Sequence, residues 1–352
     1  MRKKIILSLL TAVFSLSGCV INLKTQGGND GGVYRTHDNG DNWQQITMVY
    51  RVEDSQKTFS NVNLTAMIMD PTDKQALYLG TKADGMFYTY DGGIGWNQTL
   101  TGLGEINAIA VSPKERCIIF TAIQNKIYKS IDCNRHWNYK LVETRKDPKN
   151  NIISLAIDNF NTNNIYAGTS GNGLFLSQDA GFSWQALKFF DYPIVKILIN
   201  SKNSKIIYIA TAQKGIFKTT DGGVNWSQIL NQQLIEQKQY VLDYRDLILD
   251  PAVEDGLLYA SQYGLLRSGD GGNNWEDLKL LTPPGTTTIY SIAINPQNGQ
   301  EIYYGIKDTL YRSVDGGKNW ITRNLPSSRA AAFLIFNPVN TPTLYLGVKK
   351  IN

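Results

Sequence analysis

The sequence predicts an all-β fold, a seven-bladed β-propeller whose ring is closed by N- and C-terminal strands that share a blade. Three observations predict it: seven copies of one short motif, the spacing between them, and an incomplete repeat at each end of the chain. The segments THDNGDNW (36–43), TYDGGIGW (89–96), SIDCNRHW (130–137), SQDAGFSW (177–184), TTDGGVNW (219–226), SGDGGNNW (268–275) and SVDGGKNW (313–320) follow S/T-x-D-x-G-x-x-W, with one departure in the third. Each of the 7 tryptophans ends one copy, and successive tryptophans stand 41 to 53 residues apart. That period fits a four-stranded propeller blade rather than a shorter solenoid turn.

Each copy is read as a self-satisfied turn. Ser or Thr closes a strand, the carboxylates of Asp38, Asp91, Asp132, Asp179, Asp221, Asp270 and Asp315 accept from the following backbone N–H groups, and Gly two positions on supplies a positive φ. In the third copy Asn134 replaces that Gly, a substitution Asn tolerates. Trp43, Trp96, Trp137, Trp184, Trp226, Trp275 and Trp320 then open the next strand and bury their rings against the blade. Upstream of each later copy runs an apolar strand, a polar turn near Pro, Asn or Ser, a second strand rich in Tyr and Ile, and a tight turn. LTAMIMDPTDKQALYLGTKADGMFYTYDGG is one example. This rhythm of short strands and turn signals indicates closed all-β repeats. Only GGVYRT precedes the first copy, and AAAFLIFNPVNTPTLYLGV (330–348) has two strands and no motif. The two halves are expected to complete one blade, which removes the sheet edges an open array would expose.

The first residues read as an address. MRKKIILSLLTAVFSLSGC opens with three cations, continues apolar from Ile5 to Leu16 and ends in small residues before a cysteine, the grammar of a secretory signal peptide. Leu16-Ser17-Gly18-Cys19 resembles the lipobox of bacterial lipoproteins, which implies acylation of Cys19. The expected organisation is a signal peptide over 1–18, a lipid-anchored tether over 19–30 and the propeller over 31–352. The expected location is the extracytoplasmic face of a bacterial membrane.

Composition narrows the chemistry. The 352 residues are 42% hydrophobic and 18% charged with net charge +5, and removal of Arg2, Lys3 and Lys4 with the leader leaves +2. No strongly basic footprint for nucleic acid is present. With 2 His and 3 Cys, the common zinc ligand sets are out of reach or lack their usual spacing, so no metal and no cofactor is expected. Across the turn Gln124-Asn125, pairing of Ile123 with Lys126 places Cys117 opposite position 132, one residue from Cys133. A disulfide needs only a bulge or a small adjustment of the turn, and an exported chain would permit it; the alternative is two packed free thiols.

The seven motifs resemble the Asp-box, or BNR, repeat family, and the resemblance covers about Gly31 to Val348. In that family the boxes sit at the blade periphery, away from the active site of sialidases, so the seven Asp are expected to be structural. The chain lacks the sialidase Arg-Ile-Pro, counts seven blades rather than six, and has room for one propeller where xyloglucanase-type enzymes use two. Sortilin-type receptors are similar in their repeats but have more blades and an added cysteine-rich module. The chain is more similar to single seven-bladed propellers of the photosystem II stability and assembly factor type, which bind membrane-protein intermediates through an Arg-rich face without catalysis.

Boxes and Asp-Pro, Ser-Pro and Asn-Pro turns belong on one face, and inter-blade loops on the other. Long loops at 46–61 and 229–245 mark the second face as the functional one. Arg51, Arg145, Arg245, Arg323 and Arg329 fall in inter-blade loops, with Tyr50, Phe189, Phe190, Tyr192, Tyr240 and Tyr244 among them. Arg and aromatic side chains are those enriched at interface hot spots. The expected binding face is therefore Arg51, Arg145, Phe189, Tyr192, Tyr244, Arg245, Arg323 and Arg329. The expected function is a lipid-anchored, non-catalytic scaffold or assembly factor for an envelope or membrane protein. The alternative is a carbohydrate-binding or sialidase-like glycoside hydrolase propeller, which would draw a carboxylate pair from Glu53, Asp54, Glu143 and Asp243.

Overall fold

The computed structural model describes residues 29–50, 57–143, 150–171, 173–190 and 192–351. The strands form seven four-stranded antiparallel blades in a ring, plus one two-stranded hairpin. Blade 2 shows the pattern: innermost Leu64–Met69, then Leu77–Thr81, Met86–Thr89 and outermost Asn97–Thr99. Blades 3 to 7 repeat it, beginning at Ile106, Ile152, Ile194, Tyr244 and Ser291. Blade 1 is built from both ends of the chain. Ala330–Phe336 is innermost, Leu344–Lys349 pairs with it and with Gly32–Thr36, and Gln44–Gln45 is outermost. The closure expected from the two incomplete repeats is thus present, with Val33 opposite Gly347 and Arg35 opposite Tyr345.

The core lies between blades, where the second strands are almost wholly buried and carry Tyr78, Tyr166, Tyr208, Tyr259, Tyr303 and Tyr345. Close approach of neighbouring blades requires glycine at four of these strands, Gly80, Gly168, Gly305 and Gly347. A methyl group on Gly80 would lie 2.7 Å from Ile106 of the next blade, and one on Gly305 2.5 Å from Ala331.

Two sevenfold sets of turns hold one face. After each innermost strand a buried Asp, Asn or Ser caps the turn: Asp70 Oδ1 accepts from Thr72 N at 2.8 Å, Asn200 Oδ1 from Lys202 N at 2.8 Å, and Asn337 Oδ1 from Val339 N at 3.0 Å. Between the third and fourth strands lie the aspartate turns. In the fifth, Thr219 Oγ1 donates to Asp221 Oδ1 (2.6 Å) and accepts from Gly223 N (3.0 Å), while the carboxylate accepts from Asn225 N and Nδ2. The backbone is left-handed at two successive positions rather than one: Asn39 and Gly40 in the first turn, Ala180 and Gly181 in the fourth, Cys133 and Asn134 in the third. Asn134 adopts φ +70° and donates from Nδ2 to Tyr90 Oη at 2.9 Å.

The two long loops differ from the sequence expectation in carrying structure of their own. The loop over 46–61 contains a hairpin, Met48–Val49 with Lys57–Thr58, and its Phe59 stacks on Phe87 at 4.3 Å. The loop over 229–245 contains the helix Gln232–Gln237, capped by Asn231 Oδ1 accepting from Leu234 N at 2.8 Å. Just ahead of the first strand, Asp30 is tied to Ser327, Ser328 and Arg329.

Candidate functional site

Antiparallel blades place the aspartate turns and the Asx-capped turns at one end of the ring, and the inter-blade connections with the second-to-third-strand turns at the other. On this second face the innermost strands share a device. A β-bulge adds one extra residue near the mouth of the central channel in six blades: Thr65, Asn107, Ile153, Val195, Arg245 and Ala332. Bulges re-aim side chains at sheet ends. In blade 6 the re-aimed residue is a cation.

Arg245 donates from Nε (3.2 Å) and Nη2 (2.6 Å) to Gln262 Oε1, on the adjacent turn. Gln262 is held in turn by Gly285 O at 3.0 Å. Arg245 has no carboxylate partner within ion-pair distance among the described residues. A neutral amide orients this guanidinium without neutralising it, which leaves its charge available to a ligand. Beside it, Lys196 of blade 5 pairs with Asp246 at 3.4 Å. Asp246 also accepts from Leu247 N at 2.9 Å and from Ile292 N of blade 7 at 3.4 Å. Burial, then the Asp246 charge, pushes the Tyr244 phenol well above its ordinary range, so it remains a donor toward Asp246 Oδ1 at 3.5 Å. Tyr244 and Lys196 thus meet at Asp246, the residue after Arg245, in a polar group that reaches from blade 5 to blade 7.

The other sequence-predicted residues are dispersed. Arg329 is 3% exposed; it pairs with Asp30 at 3.2 Å and donates to Asn61 O and Val62 O. It therefore joins the two ends of the ring and cannot meet a partner. Arg323 lies on the outermost strand Ile321–Asn324 and pairs at 2.6 Å with Asp41 of the first aspartate turn, at the perimeter. Phe189 ends an outermost strand and packs edge-on against Phe175 at 6.3 Å. Lys214 stands 5.8 Å from the Tyr192 ring. Phe190 is buried against Phe217 and Trp226, and Tyr50 donates to Asp91 of the second aspartate turn, away from the loop face. Cys19, Arg51, Glu53, Asp54 and Arg145 lie outside the described residues.

Cys117 and Cys133 are joined, with Cα atoms 4.1 Å apart. The strand starts at Ile119 rather than at Cys117, and positive φ at both cysteines turns them toward each other.

The aspartates of all seven turns are held below the ordinary carboxylate range. Asp38, Asp132, Asp179 and Asp315 fall to about 2, led in Asp38 by the Thr36 hydroxyl and in Asp315 by the Asn319 amide. Asp91 falls despite burial through Thr89 and Tyr50, Asp221 chiefly through Thr219, and Asp270 chiefly through Asn274. These carboxylates are spent on the turns.

Sequence reasoning missed a set of inter-blade staples. The residue before the turn hydroxyl is cationic in five blades, and it reaches a neighbouring turn in four of them: Arg35 Nη1 to Gly92 O (2.9 Å), Lys129 Nζ to Ala180 O (2.8 Å), Lys218 Nζ to Gly271 O (3.1 Å) and Arg267 Nη2 to Gly299 O (2.9 Å). In the fifth, Arg312 pairs with Glu301. The signal was the recurrent R/K immediately before S/T-x-D.

By sequence, the chain matches no protein-family model and no curated protein. By structure it is similar to many solved propellers. One is the GH74 xyloglucanase from Xanthomonas campestris, with TM-score 0.68 and 17% identity over 82% of this chain and 51% of that one. YCF48 bound to D1 peptide gives TM-score 0.61 and 14% identity over 82% and 93%. YCF48 from Cyanidioschyzon merolae gives 0.62 and 13% over 86% and 98%. The chain spans about half the length of the GH74 structures it matches. At these identities the likeness is one of fold.

Proposed function

We propose that this chain is an exported Asp-box propeller, lipid-anchored through Cys19, that acts without catalysis as a protein-binding scaffold at the cell envelope. The observation that carries the reading is Arg245: a bulge presents it at the channel mouth, Gln262 orients it, and no described carboxylate neutralises it. A partner offering a carboxylate or a backbone carbonyl cluster fits that fork. Two considerations support the reading. The solved neighbours covered almost end to end are single propellers, one of them holding a peptide, whereas this chain spans half of the GH74 structures. A glycosidase also needs one carboxyl raised to act as acid, and the seven turn aspartates do not supply it, because the hydrogen bonds of their own turns hold each one low. The N-terminus fits as well. Asp30 enters the ring on the Arg245 face, beside Ser327 and Ser328, and the eleven residues from Cys19 to Asn29 reach at most about 40 Å. The anchor would therefore hold that face toward the membrane.

The test is crosslinking and affinity capture of the mature protein from its native envelope, beside an Arg245→Glu variant shown by circular dichroism to melt as wild type. A specific protein recovered by the wild type and lost by the variant supports the scaffold. Equal recovery by both, or recovery of polysaccharide alone with hydrolysis of it, overturns the reading.

A further inference from the structure

In blades 2, 4, 5 and 7 the turn after the innermost strand carries a second capping side chain. Asp73 Oδ1 accepts from Gln75 N at 3.0 Å, Asn161 Oδ1 from Asn163 N at 3.2 Å, Asn203 Oδ1 from Lys205 N at 3.0 Å and Asn298 Oδ1 from Gln300 N at 3.1 Å. Thr162 follows Asn161 and Ser204 follows Asn203, but Gly299 follows Asn298. Packing demands that glycine. A methyl group on it would lie 2.7 Å from Ala252 Cβ, and its carbonyl accepts from Arg267 Nη2 at 2.9 Å, the staple between blades 6 and 7. Asn298 is exposed and Gly299 partly so.

We propose that Asn298 is a site of spontaneous deamidation through a succinimide formed with the Gly299 nitrogen, independent of the Arg245 site. Because Asn298 Oδ1 reaches the nitrogen two residues on, its carbon Cγ stands over the nitrogen one residue on. The Gly299 nitrogen attacks Cγ, the new C–N bond closes the succinimide ring, and the Cγ–Nδ2 bond breaks. Nδ2 leaves as ammonia with the proton that Gly299 gives up. Water then opens the ring at either carbonyl, to aspartate or to isoaspartate. The Gln300 N–H already points at the oxygen on which negative charge develops in the tetrahedral adduct, and a donor so placed stabilises that charge. Thr162 and Ser204 put a side chain beside the attacking nitrogen in the equivalent turns, whereas Gly299 has none.

The same dipeptide in the first aspartate turn is locked. Asn39 adopts φ +62°, and the buried Gly40 donates its N–H to Thr36 Oγ1 at 3.2 Å. Its nitrogen is engaged, and the turn cannot flatten into a ring without breaking that bond. The third Asn–Gly pair, at Asn172, lies outside the described residues. Conversion at Asn298 also has a structural consequence. Isoaspartate inserts one side-chain carbon into the main chain just before Gly299, which displaces the carbonyl that Arg267 holds and loosens the seam between blades 6 and 7.

The test is storage of the mature protein in warm, mildly alkaline buffer, folded and in urea, followed by peptide mapping in a mass spectrometer and an enzymatic isoaspartate assay. In the folded protein Asn298 should gain the mass of an amide exchanged for an acid at least as fast as it does in urea. It should also convert about tenfold or more faster than Asn39, Asn161 and Asn203. In urea Asn39 should rise to the rate of Asn298. The converted fraction, separated by anion exchange, should melt below the unconverted one, and Asn298→Gln, shown by circular dichroism to be folded, should yield no such fraction. Slower conversion of Asn298 in the folded protein than in urea, or equal conversion of Asn39 in the folded protein, overturns the proposal. A converted fraction that melts with the unconverted one overturns its effect on the seam.

Discussion

Replacing Arg329 by Met keeps most of the buried stem and removes the guanidinium. The wild-type group is 3% exposed, pairs with Asp30 at 3.2 Å and donates to Val62 O at 2.8 Å and Asn61 O at 3.2 Å. Removing one member of a buried pair costs about 3 to 5 kcal/mol, and each carbonyl left without its donor adds about 1 kcal/mol. Two features reduce the sum. The Asp30 side chain is 19% exposed, so part of its charge rehydrates, and it keeps its bonds from Ser327 and Ser328. The expected loss is about 3 kcal/mol, a fall in Tm of about 6 °C for a ring of this size. Arg329→Lys should recover less than half, because an ammonium cannot span Asp30 and two carbonyls. Urea unfolding at neutral pH, followed by tryptophan fluorescence and calorimetry, measures it. A Met variant within about 0.5 kcal/mol of wild type would refute the assignment of Arg329 to ring closure.

The aspartate turns predict acid sensitivity. Their folded pKa values lie below the ordinary 3.8, so their contribution is complete above that value and is lost as pH falls from about 4 to about 2; a flat stability profile through that window would contradict it. Deletion of Thr341 to Asn352 removes Leu344–Lys349, which pairs on both sides in blade 1, so the cooperative melt should collapse; an unchanged midpoint would sink the closure. Cys117→Ser with Cys133→Ser opens a link across 16 residues and should cost about 3 kcal/mol, read as a matching shift when the wild type is reduced. Trp226→Ala removes the ring packed on Phe190 at 5.6 Å and should cost about 3 kcal/mol, the low end for aromatic truncation because the indole is only partly buried.

The fold was legible because its determinants are local and repeated. Seven aspartate turns announce seven third-to-fourth-strand connections, and the half-repeats GGVYRT and AAAFLIFNPVNTPTLYLGV announce the shared blade. The site was less legible because burial is a property of the assembled ring. Arg245 and Arg329 look alike as loop arginines, yet one is re-aimed by a bulge toward an amide and the other is enclosed by Asp30 and the backbone at Asn61 and Val62. Bulges and the encounter of chain ends carry no short-range signature.

Blade 1 also governs the order in which the molecule can assemble. Gly32–Thr36 is among the first strands made, and its partner Leu344–Lys349 is among the last. Until the final repeat emerges, the early strand presents an unpaired apolar edge, with Val33 and Tyr34 destined for full burial. Contacts this far apart along the chain form slowly and leave such edges open to wrong pairing meanwhile. The molecule therefore needs custody of its beginning until its end arrives, and truncated or stalled chains should be cleared as aggregates rather than persist as six-bladed arcs.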